Sequence, residues 1–220
     1  LWREYSEGMD AYHEENSYNA YRGSGTIYVE DATNVNRIFH GGLSYAKGSY
    51  VLHMLRHVVG DSTFFKILKA FYNDERFRYG VARTEDFQAV CEDVSGLKLE
   101  KYFQQWIYGE YFPRYRYDWD CSKLEDQNYE LSITIEQAQT NTGLFWMPID
   151  IAIHMPSKTL VKVAWDSLRI QEFTFTIPEK PDSITIDPEN WILKDAERRL
   201  FYASLSRPFL MVNGVNWADY

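Results

Sequence analysis

The sequence is poor in basic residues: 23 lysines and arginines stand against 32 aspartates and glutamates, a formal net charge of −9 at pH 7. A chain with this balance lacks the positive surface that nucleic acids and anionic membranes attract, so we expect no nucleic-acid partner. No apolar run approaches the ~18 residues of a membrane-spanning helix, and no transmembrane segment is expected. Two cysteines, Cys91 and Cys121, are too few for a disulfide framework or a cysteine-based metal cluster.

Apolar residues are plentiful, and their spacing changes near Pro113. They make up 45% of the chain, which excludes intrinsic disorder. Before Pro113 they recur at helical spacing, and after it they alternate with period two. Helices followed by strands predict an α+β fold of two packed units. We expect a multi-helix unit at residues 1–113, an antiparallel β-sandwich at 114–195, and a tail or the start of a further segment at 196–220.

Start and stop signals divide the first unit into helices. The predicted helices cover residues 2–15, 45–59, 64–72, 84–96 and 99–108. Ser44 is the expected N-cap of the second of these helices and Thr84 that of the fourth. The second helix carries an apolar stripe made of Val51, Leu52, Leu55, Val58 and Val59. A short strand is predicted at residues 26–29.

The second unit shows alternating apolar residues between turn signals, the pattern of a β-sandwich. The predicted strands centre on residues 115–119, 131–135, 149–153, 161–165, 173–177 and 184–186. Farther along, residues 197–199 are expected to start a helix and residues 209–212 to form a strand.

Three candidate sites favour a structural interpretation. His53 and His57 lie four residues apart on one helix face, as zinc ligands do, but Met54 stands where a peptidase needs Glu and no third ligand is evident. We interpret the pair as packed or solvated and expect no metal site in this chain.

The acids Asp182, Asp187 and Glu189 suggest calcium, but such acids are common in sandwich turns. The aromatic strand Tyr115, Tyr117 and Trp119 offers a carbohydrate platform only if exposed, whereas such stripes are more often core.

The segment at residues 44–55 (SYAKGSYVLHML) carries the clearest signal, a Tyr-x-Lys-Gly motif that opens an apolar helix. This motif resembles a segment of the aminopeptidase N family of zinc metallopeptidases, the gluzincins. Further motifs of that family follow in the same order at residues 60–65 (GDSTFF), 84–87 (TEDF), 103–108 (FQQWIY), 112–113 (FP), 147–149 (MPI) and 184–188 (ITIDP). Each motif is weak alone, but the ordered series extends over roughly residues 1–195.

The resemblance implies a role for each unit. Residues 1–113 would be the C-terminal part of a thermolysin-like peptidase domain, and residues 114–195 the β-sandwich domain that follows it. The family's His-Glu-x-x-His lobe and its later Glu ligand are absent from this sequence, so zinc would be bound by residues upstream. Tyr45 is the one catalytic residue that carries over; in the family its phenol donates to the oxyanion of the tetrahedral intermediate. We interpret Lys47 as helix-start packing and surface charge.

We therefore expect a fragment of a zinc-dependent aminopeptidase that hydrolyses amino-terminal residues of peptides. Peptide would be the substrate of the intact parent, while this chain alone would be inactive and bind no zinc. Without the metal-binding lobe, an apolar surface that normally packs inside a domain would be exposed, and it would favour self-association of the fragment. The alternative is a non-catalytic helical plus β-sandwich binding or scaffold module, an inactive relative without its metal lobe.

Overall fold

The structure is a computed structural model that describes residues 11, 14, 17, 19, 20 and 24–199. The helix predicted at residues 2–15 lies outside the described residues apart from positions 11 and 14, and the strand predicted at 209–212 lies wholly outside them. Among the described residues, none of the helices combines the length and apolar character needed to span a membrane.

Helices occupy the described chain up to residue 108. They are α1 (Val35–Ile38), a first π-turn (Gly41–Lys47), α2 (Gly48–Val59), α3 (Asp61–Asn73), α4 (Thr84–Ser95), α5 (Glu100–Phe103) and a second π-turn (Gln104–Tyr108). The two π-turns are short π-helical segments of seven and five residues; the first runs without a break into α2 and the second follows α5 without a break. Helix α4 ends at Gly96, whose φ of 70° is the left-handed conformation that glycine adopts most readily.

Two local predictions in this part are wrong. Thr84 is the first residue of α4 and not its cap, because the backbone N–H of Arg83 donates to the Asp86 carboxylate at 2.8 Å and closes the helix start one residue earlier. Residues 26–29 form no strand. Instead, the N–H groups of Ile27 and Tyr28 both donate to the Ile107 carbonyl, at 3.1 and 3.0 Å.

Seven strands follow in two sheets. They are β1 (Arg114–Lys123), β2 (Tyr129–Gln137), β3 (Met147–His154), β4 (Thr159–Asp166), β5 (Ile170–Ile177), β6 (Ser183–Ile186) and β7 (Asp195–Arg198). One sheet has the order β5-β2-β1-β7 and the other β4-β3-β6, and every pair is antiparallel except β1 with β7. Isoleucines of β2 and β3 are buried in one core between the sheets. The predicted α+β fold class, with helices before strands, is confirmed.

The helix predicted at residues 197–199 is wrong, because this segment forms β7. Strand β7 pairs in parallel with the start of β1, and the Arg199 N–H donates to the Tyr117 carbonyl at 2.9 Å. Its exposed charges meet opposite charges on β1: Arg116 lies 2.9 Å from Glu197. Charged side chains of this kind are suited to a short edge strand, since they discourage pairing with other chains.

One apolar core joins the helices to the sandwich. The indole N–H of Trp106 in the second π-turn donates to the Met147 sulfur of β3 at 3.2 Å. At the start of α2, the Tyr50 hydroxyl donates to the Asn190 carbonyl at 2.9 Å. The proposed boundary between residues 1–113 and 114–195 therefore marks a change of secondary structure, while the core is continuous across it.

Candidate functional site

Tyr45 lies in the first π-turn, directly before α2. The turn starts at His40, whose Nδ1 accepts a hydrogen bond from the Leu43 N–H at 3.1 Å. Ser44 lies inside the turn, so the prediction that it caps the helix is wrong. The Gly48 N–H reaches back five residues to the Leu43 carbonyl, which is the hydrogen bond of a π-helix. The π-helical segment that carries Tyr45 therefore leads directly into α2.

The turn presents Tyr45 to solvent and buries its other side. Tyr45 is 59% exposed, whereas the next two residues, Ala46 and Lys47, are buried. Consecutive residues of a helix are separated by about 100°, so Tyr45 and Lys47 point in nearly opposite directions. The turn also packs closely on the preceding chain, because a Cβ on Gly42 would lie 2.7 Å from the Asn19 carbonyl oxygen. A phenol held in this way is an accessible, neutral hydrogen-bond donor on a fixed backbone.

The structure corrects the interpretation of Lys47 as a surface charge. Its side chain is only 2% exposed, and Nζ donates to the Gly109 carbonyl at 3.0 Å. Burial lowers the pKa of Lys47 to about 8, although the nearby Glu110 acts in the opposite direction. Lys47 shares one helical face with Tyr50, Val51 and Met54, all of them buried, so it belongs to the packed side of α2.

We expect the buried Lys47 to make stability rise with pH between about 8 and 10.5. The pKa of Lys47 is lower in the folded chain than the 10.5 of a free lysine, so the folded chain binds fewer protons in this window. At 1.36 kcal/mol per pKa unit, the gain over the window is roughly 3 kcal/mol. Urea unfolding of the native chain and of Lys47→Met at pH 7 and pH 10 measures it. A difference between the two chains that does not change with pH would contradict the assignment.

His53 and His57 both pack against one indole ring. Their imidazoles stack on Trp191 with ring centroids 4.6 and 5.0 Å away and interplanar angles of 12° and 11°. The Nε2 atom of His57 also lies 3.3 Å from the Asp150 carboxylate of β3. The two rings thus fill the contact between α2 and the sandwich. Across residues 24–199 and the five earlier described positions, no three His, Cys, Asp or Glu side chains are grouped to hold a metal.

The 220-residue chain is stripped of metal with EDTA, supplied with zinc and then dialysed. We expect it to retain no stoichiometric zinc. Within the part of the chain that the structure describes, His53 and His57 are grouped with no third His, Cys, Asp or Glu side chain to hold a metal, and structural zinc is usually held by four ligands. Elemental analysis after dialysis measures the bound metal, with His53→Ala as the matched variant. Zinc retained by the native chain and lost from His53→Ala would show that the pair is a metal site.

Of the three acids that suggested calcium, Asp187 is engaged within the protein, whereas Asp182 is exposed. The Asp187 side chain is fully buried, lies 2.6 Å from Lys194 Nζ, and accepts hydrogen bonds from the Trp191 and Ile192 N–H groups at 2.9 Å each. Its oxygens are satisfied by this loop. Glu189, in contrast, is exposed.

The aromatic strand that suggested a carbohydrate platform faces the core. Tyr115 is buried, and Tyr117 and Trp119 pack against the core while partly buried. No open aromatic plane is formed by these three rings.

Comparison with known proteins finds a family domain and relatives to which the first half of the chain is similar. Residues 1–106 match the model of the peptidase family M1 domain. Aminopeptidase N of Lactococcus lactis subsp. lactis is 28% identical over 107 residues, which cover 49% of this chain and 11% of that protein. Aminopeptidase 2, mitochondrial, of Saccharomyces cerevisiae is 33% identical over 87 residues, 40% of this chain and 9% of that protein. The chain spans about a tenth of the length of these curated relatives.

The fold itself has a solved counterpart. The crystal structure of Legionella pneumophila aminopeptidase A in complex with aspartic acid aligns with a TM-score of 0.68 at 16% identity, covering 90% of this chain and 22% of that chain. The alignment extends beyond the M1 match at residues 1–106, so the arrangement of helices and sandwich is common to both proteins. The resemblance in the ordered motifs is thereby confirmed: the chain is similar to a fragment of an aminopeptidase N-like protein, and residues 1–106 are similar to the peptidase family M1 domain.

Proposed function

We propose that the intact protein containing this chain is a zinc-dependent aminopeptidase that removes amino-terminal residues from peptides, and that Tyr45 is its oxyanion donor. The observation that carries the proposal is the presentation of Tyr45: the tyrosine of the Tyr-x-Lys-Gly motif is 59% exposed on a π-turn whose other side is buried. The match to the peptidase family M1 domain and the names of the two relatives support the reaction class.

The chemistry assigned to Tyr45 is hydrogen bonding to a developing negative charge. When a peptide carbonyl becomes tetrahedral, its oxygen gains charge, and a phenol O–H aimed at that oxygen stabilises the transition state more than the substrate. Removing one such donor costs about 3–4 kcal/mol of barrier in enzymes that use one. The buried side of the first π-turn keeps the backbone of Tyr45 fixed, so the donor requires little reorganisation.

The described residues do not fit a zinc site, because the candidate pair His53 and His57 has no third His, Cys, Asp or Glu side chain among them grouped with it to hold a metal. We propose that zinc in the intact protein is held by residues that are not in this chain. The 220-residue chain alone would then lack both the metal and peptidase activity.

The test uses the intact protein and the 220-residue chain side by side. We expect the intact protein to hydrolyse aminoacyl-4-nitroanilides but not their N-acetylated counterparts, to lose activity to a zinc chelator, and to regain it with added zinc. The 220-residue chain is expected to be inactive throughout. An intact protein that binds no zinc and cleaves none of these substrates would favour the alternative, a non-catalytic scaffold module.

We further expect the isolated chain to associate with itself. Large apolar side chains on and after β4 are at least 40% exposed: Val161, Val163, Trp165, Leu168 and Ile170. Val161, Val163 and Trp165 alternate along β4 and so lie on one face of it, and an exposed apolar face favours association. Sedimentation velocity over a concentration series measures it, and Val163→Lys is expected to weaken it more than Thr174→Lys, a control at an exposed polar position of β5. A chain that stays monomeric at high concentration would contradict the expectation.

A further inference from the structure

The contact between Lys47 and Gly109 joins two parts of the chain that are 62 residues apart in sequence. Lys47 is the last residue of the first π-turn, and Gly109 directly follows the second π-turn. The ammonium is buried, and its donor bond to the Gly109 carbonyl is 3.0 Å long. The turn that carries Tyr45 is therefore fastened from its buried side to a distant point of the fold.

The accepting carbonyl stands on a rigid support. A Cβ on Gly109 would collide with the Gln105 carbonyl, so the backbone packs here more closely than any side chain would allow. The Gln105 side chain in turn is fixed to the sandwich, since it accepts from the Trp146 N–H at 2.8 Å and donates to the Trp146 carbonyl at 2.9 Å. Two hydrogen bonds hold the Gln105 side chain, and Gly109 packs directly against the Gln105 backbone. The Gly109 carbonyl is therefore held at a defined position.

A buried ammonium is a poor choice if only packing is needed. Desolvation of the charge opposes folding, and a methionine of similar length would fill the same space without that penalty. Tyr45, two residues earlier and on the opposite side of the same turn, is exposed. The directional bond of Lys47 therefore acts on the orientation of the turn.

We propose that Lys47 is a positioning residue for Tyr45, fixing the first π-turn through the Gly109 carbonyl so that the phenol is held in its catalytic orientation. This inference rests on the proposed function of Tyr45.

A double-mutant cycle in the intact protein tests the link to Tyr45. Lys47→Met is expected to lower kcat by about 30-fold with little change in KM, because a small misplacement of a catalytic group is costly. In a Tyr45→Phe background the same substitution is expected to change kcat by less than about twofold, since coupled groups are not additive. Equal losses in both backgrounds, or an unchanged kcat in Lys47→Met, would overturn the proposal. Full activity of Tyr45→Phe alone would instead refute the proposed function.

A second measurement on the 220-residue chain needs no activity. Tyr45 is replaced by 4-trifluoromethylphenylalanine, and the fluorine resonance is compared between the native background, Lys47→Met, and Lys66→Met as a control at an exposed lysine of α3. We expect one resonance in the native and Lys66→Met chains, and a shifted or split resonance in Lys47→Met with an unchanged or higher melting temperature. An unchanged resonance, or a Lys47→Met chain that fails to fold, would show that Lys47 does not act by positioning the turn.

Discussion

Replacing Tyr45 by phenylalanine in the intact protein is expected to lower kcat and kcat/KM together by about 10²–10³-fold. The substitution removes only the hydroxyl, and Tyr45 is 59% exposed, so the packing of the first π-turn is preserved. Removing a donor that acts only in the transition state lowers both constants, whereas removing a group that binds substrate and transition state equally raises KM and leaves kcat unchanged. Steady-state kinetics on aminoacyl-4-nitroanilides measure the effect.

The control for this prediction is Tyr72→Phe, which removes a hydroxyl from an exposed tyrosine of α3. It is expected to leave kcat, zinc content and melting temperature unchanged, while Tyr45→Phe changes kcat alone. Full activity in Tyr45→Phe would remove Tyr45 from the site. A loss of activity that comes with unfolding would make it a structural residue.

Replacing Asp187 by alanine is expected to lower the free energy of unfolding of the chain by ~3–5 kcal/mol, the cost of removing one partner of a buried ion pair. The Asp187 carboxylate is fully buried and lies 2.6 Å from Lys194 Nζ, which is itself buried. Its loss also frees the N–H groups of Trp191 and Ile192. The loop would then no longer hold Trp191 against the histidines of α2. Urea unfolding followed by tryptophan fluorescence measures the change.

Glu189→Ala provides the matched control, because Glu189 lies in the same loop but is exposed. Its effect on the free energy of unfolding is expected to stay within about 0.5 kcal/mol, as for most surface substitutions. Similar stability of Asp187→Ala and Glu189→Ala would mean that the buried ion pair adds nothing. Such a result would return these acids to consideration as a solvated cluster.

Strand β2 could be predicted from the sequence because its apolar residues alternate and lie on a buried side. Leu131, Ile133 and Ile135 alternate with polar residues, and all three are fully buried in β2. Strand β7 escaped prediction because it lies at a sheet edge with every residue exposed, so no apolar alternation marks it.

The candidate site was harder to predict from the sequence, because its features depend on distant parts of the chain. The π-helical form of the turn and the cap by His40 correspond to no simple pattern in the amino-acid sequence. The contact of Lys47 with Gly109 joins residues that are far apart in the sequence. A signal for the burial of Lys47 was nevertheless present, since Lys47 precedes the buried Tyr50, Val51 and Met54 at helical spacing. The role proposed for Tyr45 came from the ordered motifs, because a tyrosine at a helix start is uninformative alone.

The continuous core has a consequence for how such chains can be recombined. Trp106 meets the Met147 sulfur, and Tyr50 meets the Asn190 carbonyl, so each half supplies partners that the other half cannot replace by itself. A sandwich exchanged for that of a relative at residue 113 would have to bring matching groups to both contacts. The two units are therefore not interchangeable modules, and substitutions at their junction are expected to be inherited in compensating pairs.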